Sequence, residues 1–490
     1  MRKRNATLSL VLMMVITVMT QMLKLLKSSV VAGVFGAGNE LDAYNLVNSI
    51  VTFVFGFASA GILTIVVPEY SNRRNRKIVD GFITTVYLIL FVAIALMILF
   101  RFQILDAISN RDEVFVRTAA SVLIVMLLSE ILVSISNVTV AHFQCEGYYN
   151  LPKIIAMLGQ LVTVAALVLL DSLTIIQYAY VIAAGTIVNV LIDGVLAVKK
   201  GWRFHPTFRL LDETKTLIKN FWPVVVSTGV HNLSVIIDSM VVALLGTGMI
   251  TLQSYSSQIS VMANTVIVGN LLVYIYPKIA KNIKMEGYQP VFWKQTQLFH
   301  AVVCLMIAGF AAIGEDAVRL LFGHGAFTFE DCHVVYLGAS VYMVGQQTNV
   351  LRNMMYRYFY AVGDTKIPAA NSIIVSVANV VISLLLVKPL GMYGVILGTV
   401  LSSLIAVVII MVQFGEKIGY QENPGVIFGR LLWNLALSGI TVAVVLATQS
   451  ALVLDSLILR ILVFGVETVA IYAALQWFTN RKVVMAYKTL

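Results

Sequence analysis

Charge is what this chain has least of. Only 12% of its 490 residues are Asp, Glu, Lys or Arg, and 59% are hydrophobic. A soluble domain carries roughly 25% charged residues, so this composition, with a mean hydropathy of +0.90, excludes a soluble fold and predicts an all-α integral membrane protein. Cysteine is also scarce. Cys145, Cys304 and Cys332 lie in separate segments, which excludes a disulfide framework or a cysteine metal cluster. No P-loop, dinucleotide fingerprint or zinc motif occurs. Without an ATP site, transport has to draw on an ion gradient, the membrane potential or the substrate's own gradient. Long loops are missing as well: the longest inner connection is about 199–220 and the longest outer piece about 314–331, so there is no soluble catalytic domain and no enzyme is expected. The outer piece reads as a short helix lying on the membrane. A net charge of +10 in a soluble protein would suggest nucleic acid; here the charge follows membrane topology, and no nucleic-acid partner is expected.

What is present is a series of apolar runs. At about 20 residues per crossing, fourteen spans are predicted, near 8–34, 43–67, 81–101, 117–143, 152–171, 173–198, 221–246, 250–276, 292–313, 332–361, 367–387, 390–413, 425–447 and 456–479. The start resembles a signal peptide, but its apolar run is long and has no small-residue cleavage site, so it reads as the first span. Basic residues test the count. With a cytoplasmic N-terminus, the outer segments hold only Arg101, Arg111, Arg319 and Lys388. Arg73, Arg74, Arg209, Lys284, Lys482, Lys488 and most other basic residues fall inside. Adding or removing one span would reverse every later loop, so both termini are expected in the cytoplasm.

The two halves repeat. Phe143-x3-Gly147-x4-Pro152 recurs as Phe359-x3-Gly363-x4-Pro368. Val30-Val31-Ala32 with Tyr44 recurs as Val241-Val242-Ala243 with Tyr255, and Pro68 and Pro277 close the following spans. A shift of six spans preserves orientation, so the repeats are parallel, of the kind that rock about a site between them. The expected organisation is an N-lobe (1–198), a cytoplasmic linker (199–220), a C-lobe (221–413), and two further helices with a tail (414–490).

Against this apolar background a few polar residues stand out. Gln21, Lys24 and Lys27 are three apart and share one helix face. Lysine inside a span marks a water-filled interior or a reach to the interface; a cationic interior would suit an anionic group such as a pyrophosphate. Asp42 at the mouth of the next helix can pair with Lys27 or simply cap the helix. Asp238 is an isolated intramembrane carboxylate, and Asn232, Gln258, Asn379, Ser383 and Thr399 can supply oxygens to a hard cation or hydrogen-bond between helices. Arg352 lies deeper than Arg357 and is the better cavity residue. Glu130 and Glu467 have no obvious partner, and His231 and His300 read as packed polar residues.

The runs VFGAGNELDAY, ASAG…PEY at 58–70, LFGHGAF at 321–327 and FYAVGDTKIPAANSIIVSVAN at 359–379 resemble the MurJ (MviN) family of lipid II flippases, within the multidrug/oligosaccharidyl-lipid/polysaccharide exporter (MOP) superfamily. The likeness covers nearly the whole chain. It implies alternating-access flipping of an undecaprenyl-pyrophosphate-linked glycan to the outer leaflet of the bacterial inner membrane, by a monomer, with the headgroup entering between lobes and the lipid tail in a groove involving the last two helices. Two cavity arginines of the family's first helix align with Gln21 and Lys27, an eighth-helix arginine aligns with Gln258, and the family's acidic residue is kept as Asp42. An arginine pair and a glutamate of the second helix fall near Phe55, Gly56 and Ala60. A sodium site of some relatives maps to Asp238, Asn379, Ser383 and Thr399, with serine where a carboxylate or amide is usual. The implied coupling ion is Na+ or H+, with no other cofactor. Because arginine forks are mostly lost and lysine is a point charge, flipping of another polyprenyl-linked oligosaccharide for capsule or exopolysaccharide stays open. An ion-coupled drug exporter on the same scaffold would want an acidic cavity. A membrane glycan polymerase would want a large outer loop or clustered carboxylates.

Overall fold

The computed structural model describes residues 2–62, 66, 76–170, 172–208, 212–283, 285, 287–481 and 485. Pro68, Arg73, Arg74, Arg209, Lys284, Lys482 and Lys488, named above, lie outside these. The described residues contain no strand. They form α1 (Arg2–Phe35), α2 (Asn39–Gly61), α3 (Arg76–Leu99), α4 (Arg101–Ser109), α5 (Glu113–Cys145), α6 (Leu151–Val168), α7 (Ile175–Lys199) and α8 (Asp212–Ala243). Then follow α9 (Met249–Asn264), a π-turn (Thr265–Gly269), α10 (Asn270–Asn282), α11 (Tyr288–Phe322), α12 (Phe329–Ala361), α13 (Lys366–Leu390), α14 (Met392–Lys417), α15 (Pro424–Ala451) and α16 (Leu457–Thr479).

Among the described residues each predicted span falls largely on helix. Ten helices among the described residues are long and apolar enough to cross a membrane by length and composition. The others that carry predicted spans (α2, α8, α9 with α10, and α12) hold the polar runs, such as SYSSQ and QQTNVLRN. For those, crossing is the expectation from sequence. The protein is a multi-pass membrane protein.

By internal contacts the chain forms two compact units, Met1–Thr251 and Leu252–Leu490. In the first, α2 packs against α5 and α8, α5 against α7, and α6 against α1 and α7. In the second, α11 packs against α12, α15 and α16, and α14 against α12 and α13. The last two helices are fixed to α11 by Cys304, Leu437 and Tyr472, and by Ala312, Val445 and Phe464. Tyr472 donates to the Ala301 carbonyl at 2.9 Å and Ser438 to that of Cys304 at 2.9 Å.

The sequence repeat has a local physical meaning. At the end of α5 the Tyr148 N–H bonds the Phe143 carbonyl (2.8 Å) and the Gly147 N–H that of Gln144 (3.2 Å), with Gly147 at φ +83°. At the end of α12 the Asp364 N–H bonds Phe359 (2.9 Å) and the Gly363 N–H bonds Tyr360 (3.1 Å), with Gly363 at φ +87°. Both are Schellman terminations, in which a left-handed residue satisfies the last carbonyls. Phe143 and Phe359 are buried, and Pro152 and Pro368 sit in the first turn of the next helix, where a missing N–H costs nothing.

Two expectations need correction. The piece at 314–331 is not a separate helix. α11 continues through it to Phe322, supported by an Arg319–Glu315 pair at 2.7 Å at the i,i+4 spacing that favours helix. It stops where the Gly323 N–H bonds Arg319, and Thr328 then opens α12 in a capping box with Asp331. The short helix α4, in contrast, has no counterpart among the predicted elements. It ends on Asn110 at φ +48°, a left-handed position that Asn tolerates.

α13 and α14 meet at one residue, Gly391 at φ +57°. A Cβ on Gly394 would lie 2.2 Å from the Leu386 carbonyl oxygen, and one on Gly398 would lie 2.3 Å from Ser383 Oγ. Glycine is what allows these two helices to touch.

Candidate functional site

In the first unit, α1 shows two faces. Leu12, Val15, Met19, Met22 and Leu26 are exposed at successive spacings of three and four, a stripe of the kind that faces lipid. At 3.6 residues per turn, Lys24 sits about 160° away from that stripe and Lys27 about 100°. Lys24 is exposed, and Lys27 and Gln21 are half-buried. Among the described residues neither lysine forms an ion pair. Thr17, on the same side as Lys24, lies 3.4 Å from the ammonium of Lys153 on α6. The structure thus adds a third cation to the first-helix face. In sequence Lys153 reads only as an inner-loop charge, and nothing in its neighbours marks it, because its partner is 136 residues away.

Asp42 is fully buried and does not pair with Lys27. One carboxylate oxygen accepts from the Gly248 N–H (2.7 Å). The other accepts from the Thr251 N–H (2.8 Å) and hydroxyl (2.7 Å). Arg111 stands 3.6 Å away, donates to the Gly246 carbonyl, and reaches Thr247 Oγ1 at 3.1 Å. Asn45 donates to Thr251 Oγ1 (3.3 Å), and Thr247 donates to Asn39 (3.2 Å). A carboxylate suits this place because the first N–H groups of α9 lack intrahelical partners and carry the positive end of the helix dipole. Asp42 is a cap, but of a helix more than 200 residues along the chain rather than its own.

The absence of the second-helix arginines also has a spatial counterpart. Phe55 is buried, and a Cβ on Gly56 would come 2.1 Å from Asn232 Nδ2 of α8. A larger side chain at Gly56 would have to displace the Asn232 amide.

In the second unit, Arg352 is half-buried, donates to Asn349 at 3.0 Å and lies 6.0 Å from the Tyr356 ring. Asn349 also accepts from Asn353 (2.8 Å) and donates to Gln346 (3.0 Å), which donates to Ser260 of α9 (2.8 Å) and accepts from Asn264. Gln346, Asn349, Arg352, Asn353 and Tyr356 thus form a continuous polar face on α12, bonded to Ser260 and Asn264 of α9. Gln258, half-buried, lies on α9 near Ser260.

Of the four residues mapped to a sodium site, Asn379 and Ser383 are adjacent on α13 (3.4 Å), and Ser383 also donates to the Val395 carbonyl (3.4 Å). Thr399 is half-buried on α14. Asp238 is buried on α8 and belongs to the first compact unit. The donors are oxygens of the type a hard cation takes, and the Ser383 hydroxyl is already engaged between helices. Of the remaining polar residues, Glu467 accepts from Thr448 at 2.8 Å. His300 is buried beside Cys304 (3.6 Å) and Asn434 (3.5 Å), as a packed polar residue. His231 is exposed.

The family model for the lipid II flippase MurJ matches residues 31–468. A probable lipid II flippase MurJ of Buchnera aphidicola subsp. Baizongia pistaciae is 21% identical over 404 residues, 78% of each chain. Among solved structures, a lipid II flippase MurJ in an inward closed conformation matches with a TM-score of 0.84 at 18% identity, covering 97% of this chain and all of that one. An inward-facing multidrug resistance MATE transporter of the MOP superfamily matches at 0.67 and 14% identity, over 84% of this chain and 98% of that one. These two share the fold. With the family model spanning nearly the whole chain, the protein belongs to the MurJ lipid II flippase family.

Proposed function

We propose that this protein flips lipid II, an undecaprenyl-pyrophosphate-linked peptidoglycan precursor, from the inner to the outer leaflet of a bacterial cytoplasmic membrane, with both termini in the cytoplasm. The family match supports the activity. The observation on the chain itself that carries the reading is the position of Lys24, exposed and opposite the lipid-facing stripe of α1. Buried or interior lysine in a membrane protein needs water or an anion, and a pyrophosphate supplies the anion. Lys27 and Gln21 flank it on the same helix. In the second unit, Gln258 and Arg352 are proposed as further polar contacts to the substrate. Asn379, Ser383 and Thr399 of the second unit and, separately, Asp238 of the first are proposed as places that take a coupling Na+ or H+.

The deciding experiment is rescue of a strain depleted of its own lipid II flippase. The wild-type chain should restore growth, and Lys24→Ala with Lys27→Ala should not, at equal membrane abundance. If the double variant rescues fully, the first-helix site is wrong. A second reading rests on the resemblance, which implies arginines at two positions where this chain has Gln21 and Gln258. Transport of a different polyprenyl-linked oligosaccharide would fit a weaker phosphate clamp. Failure of the wild-type chain to rescue, with export of a polysaccharide lost on its deletion, would establish that alternative.

A further inference from the structure

α7 ends in another Schellman turn: the Trp202 N–H bonds the Ala197 carbonyl (2.9 Å), the Gly201 N–H bonds Val198 (3.0 Å), and Gly201 has φ +87°. The chain then runs without regular structure from Trp202 to Phe208. It is tied to α3 by two bonds, from the His205 N–H to Asp80 (3.4 Å) and from the Thr207 N–H to Thr84 (3.1 Å). Its side chains alternate. Trp202, Phe204, Pro206 and Phe208 line a cavity of about 330 Å³ closed on the other side by α3 and α5; Trp202 and Phe204 are half-buried, Pro206 and Phe208 remain exposed at its mouth, and Arg203 and His205 between them are exposed as well. Trp202 and Phe204 stack at 6.4 Å.

The cavity is apolar almost throughout. In its wall Tyr87 gives its hydroxyl to the Ser134 carbonyl (2.8 Å), and the buried indole Nε1 of Trp202 has no hydrogen-bond partner among the described residues. Leu88 and Phe91 in its wall are 48% and 53% exposed and continue into Ile89 and Val92, an exposed apolar α3 face of the kind that meets lipid. Its volume falls within the roughly 300–1,000 Å³ of small-molecule sites. Lys199, Lys200 and Arg203, which flank Trp202 in the chain, are exposed, with the Lys200 ammonium 3.7 Å over the Tyr148 ring. Asp212, which follows in the chain, pairs with Lys215 (2.9 Å), and Asp80 is buried. An apolar slot opening to lipid under a cluster of cations has the chemistry of an anionic lipid: a chain below and a phosphate above. Basic residues at the cytoplasmic surface attract such headgroups, and aromatic residues favour that depth.

We propose that the groove between α3, α5 and the 202–208 strap is a specific site for one acyl chain of an anionic glycerophospholipid of the cytoplasmic leaflet, whose phosphate is held by Lys199, Lys200 and Arg203. The inference is independent of the transported substrate and would survive the failure of the flipping assignment.

Trp202 lies in the wall and makes the test direct. The full chain is placed in phosphatidylcholine nanodiscs doped with either acyl-brominated phosphatidylglycerol or acyl-brominated phosphatidylcholine. The Trp202 contribution is the quenching seen in the wild type minus that in Trp202→Phe. The expected result is half-quenching at a lower mole fraction of the anionic lipid, by about fivefold for each basic residue engaged. Lys200→Gln with Arg203→Gln should abolish that preference while leaving size-exclusion profile and helicity unchanged. Ile135→Phe, which fills the slot, should reduce quenching by either lipid. Equal quenching by the two lipids in the wild type would mean annular lipid only and would overturn the proposal. So would a preference that survives the double substitution.

Discussion

At the scale of single residues, the sequence marks Asp42 but not the groups it touches. Asp42 holds two backbone N–H groups and a hydroxyl at 2.7–2.8 Å with no exposure to solvent. Hydrogen bonds to a charged group contribute about 1.5–3 kcal/mol. Asp42→Ala should therefore lower the thermal unfolding midpoint in detergent by a loss of at least that order, and Asp42→Asn, which keeps one acceptor, by less. Equal midpoints for the three proteins would show that the cap is not formed. Gly147 tests the repeat in the same way. It sits at φ +83° with no atom within 4 Å of the place a Cβ would take, so Gly147→Ala meets no collision and only the left-handed strain of about 1–2 kcal/mol. The matching loss is expected for Gly363→Ala, at φ +87° and with equal room. A difference greater than about 1 kcal/mol between the two, the lower end of that strain, would argue against equivalent turns. That the glycines matter is legible in the sequence, since both stand at fixed distance from a Phe and a Pro. That Asp42 answers to Gly248 and Thr251 is not, because a capping carboxylate leaves no periodic trace when its helix is 206 residues away.

At the scale of elements, hydropathy locates helices well and judges their ends poorly. Glu315, Asp316 and Arg319 lower the apolar signal of α11, and the segment reads as a loop or surface helix. Yet Arg319 pairs with Glu315 one turn back, and Arg460 of α16 lies 2.9 Å from Asp316, so the same charges that obscure the helix in sequence support it in space. α1 shows the complementary case, where faces rather than ends decide. Leu26 belongs to the exposed apolar stripe and Lys24 lies opposite it. A charge at the centre of a lipid-facing helix costs roughly 2.5–3.5 kcal/mol on the insertion scale. Leu26→Lys should consequently lower the membrane-inserted yield. Lys24→Leu should leave the yield intact and remove flipping, as read by rescue of the depleted strain and by quantified membrane fractions. A normal yield for Leu26→Lys would mean that the stripe does not face lipid.

At the scale of the whole molecule, the distribution of basic residues predicts that both termini lie in the cytoplasm, and fusion reporters can check it. Green fluorescent protein joined after Leu490 should fluoresce, and alkaline phosphatase at the same point should be inactive. The reverse pattern would require an odd number of crossings. Membrane-length helices are readable in sequence because each needs an uninterrupted apolar run. What cannot be read is how closely they lie, which depends on residues with no side chain to register in any hydropathy sum. The α13–α14 pair carries the furthest consequence of that kind. With one residue between them and glycines pressed against Leu386 and Ser383, the two helices are interlocked at close range, so in kinematic terms they are expected to act as a single link. Whatever displacement transport imposes on one is transmitted undiminished to the other, and a spin label on Val408 would follow the motion of α13 as faithfully as one attached to α13 itself.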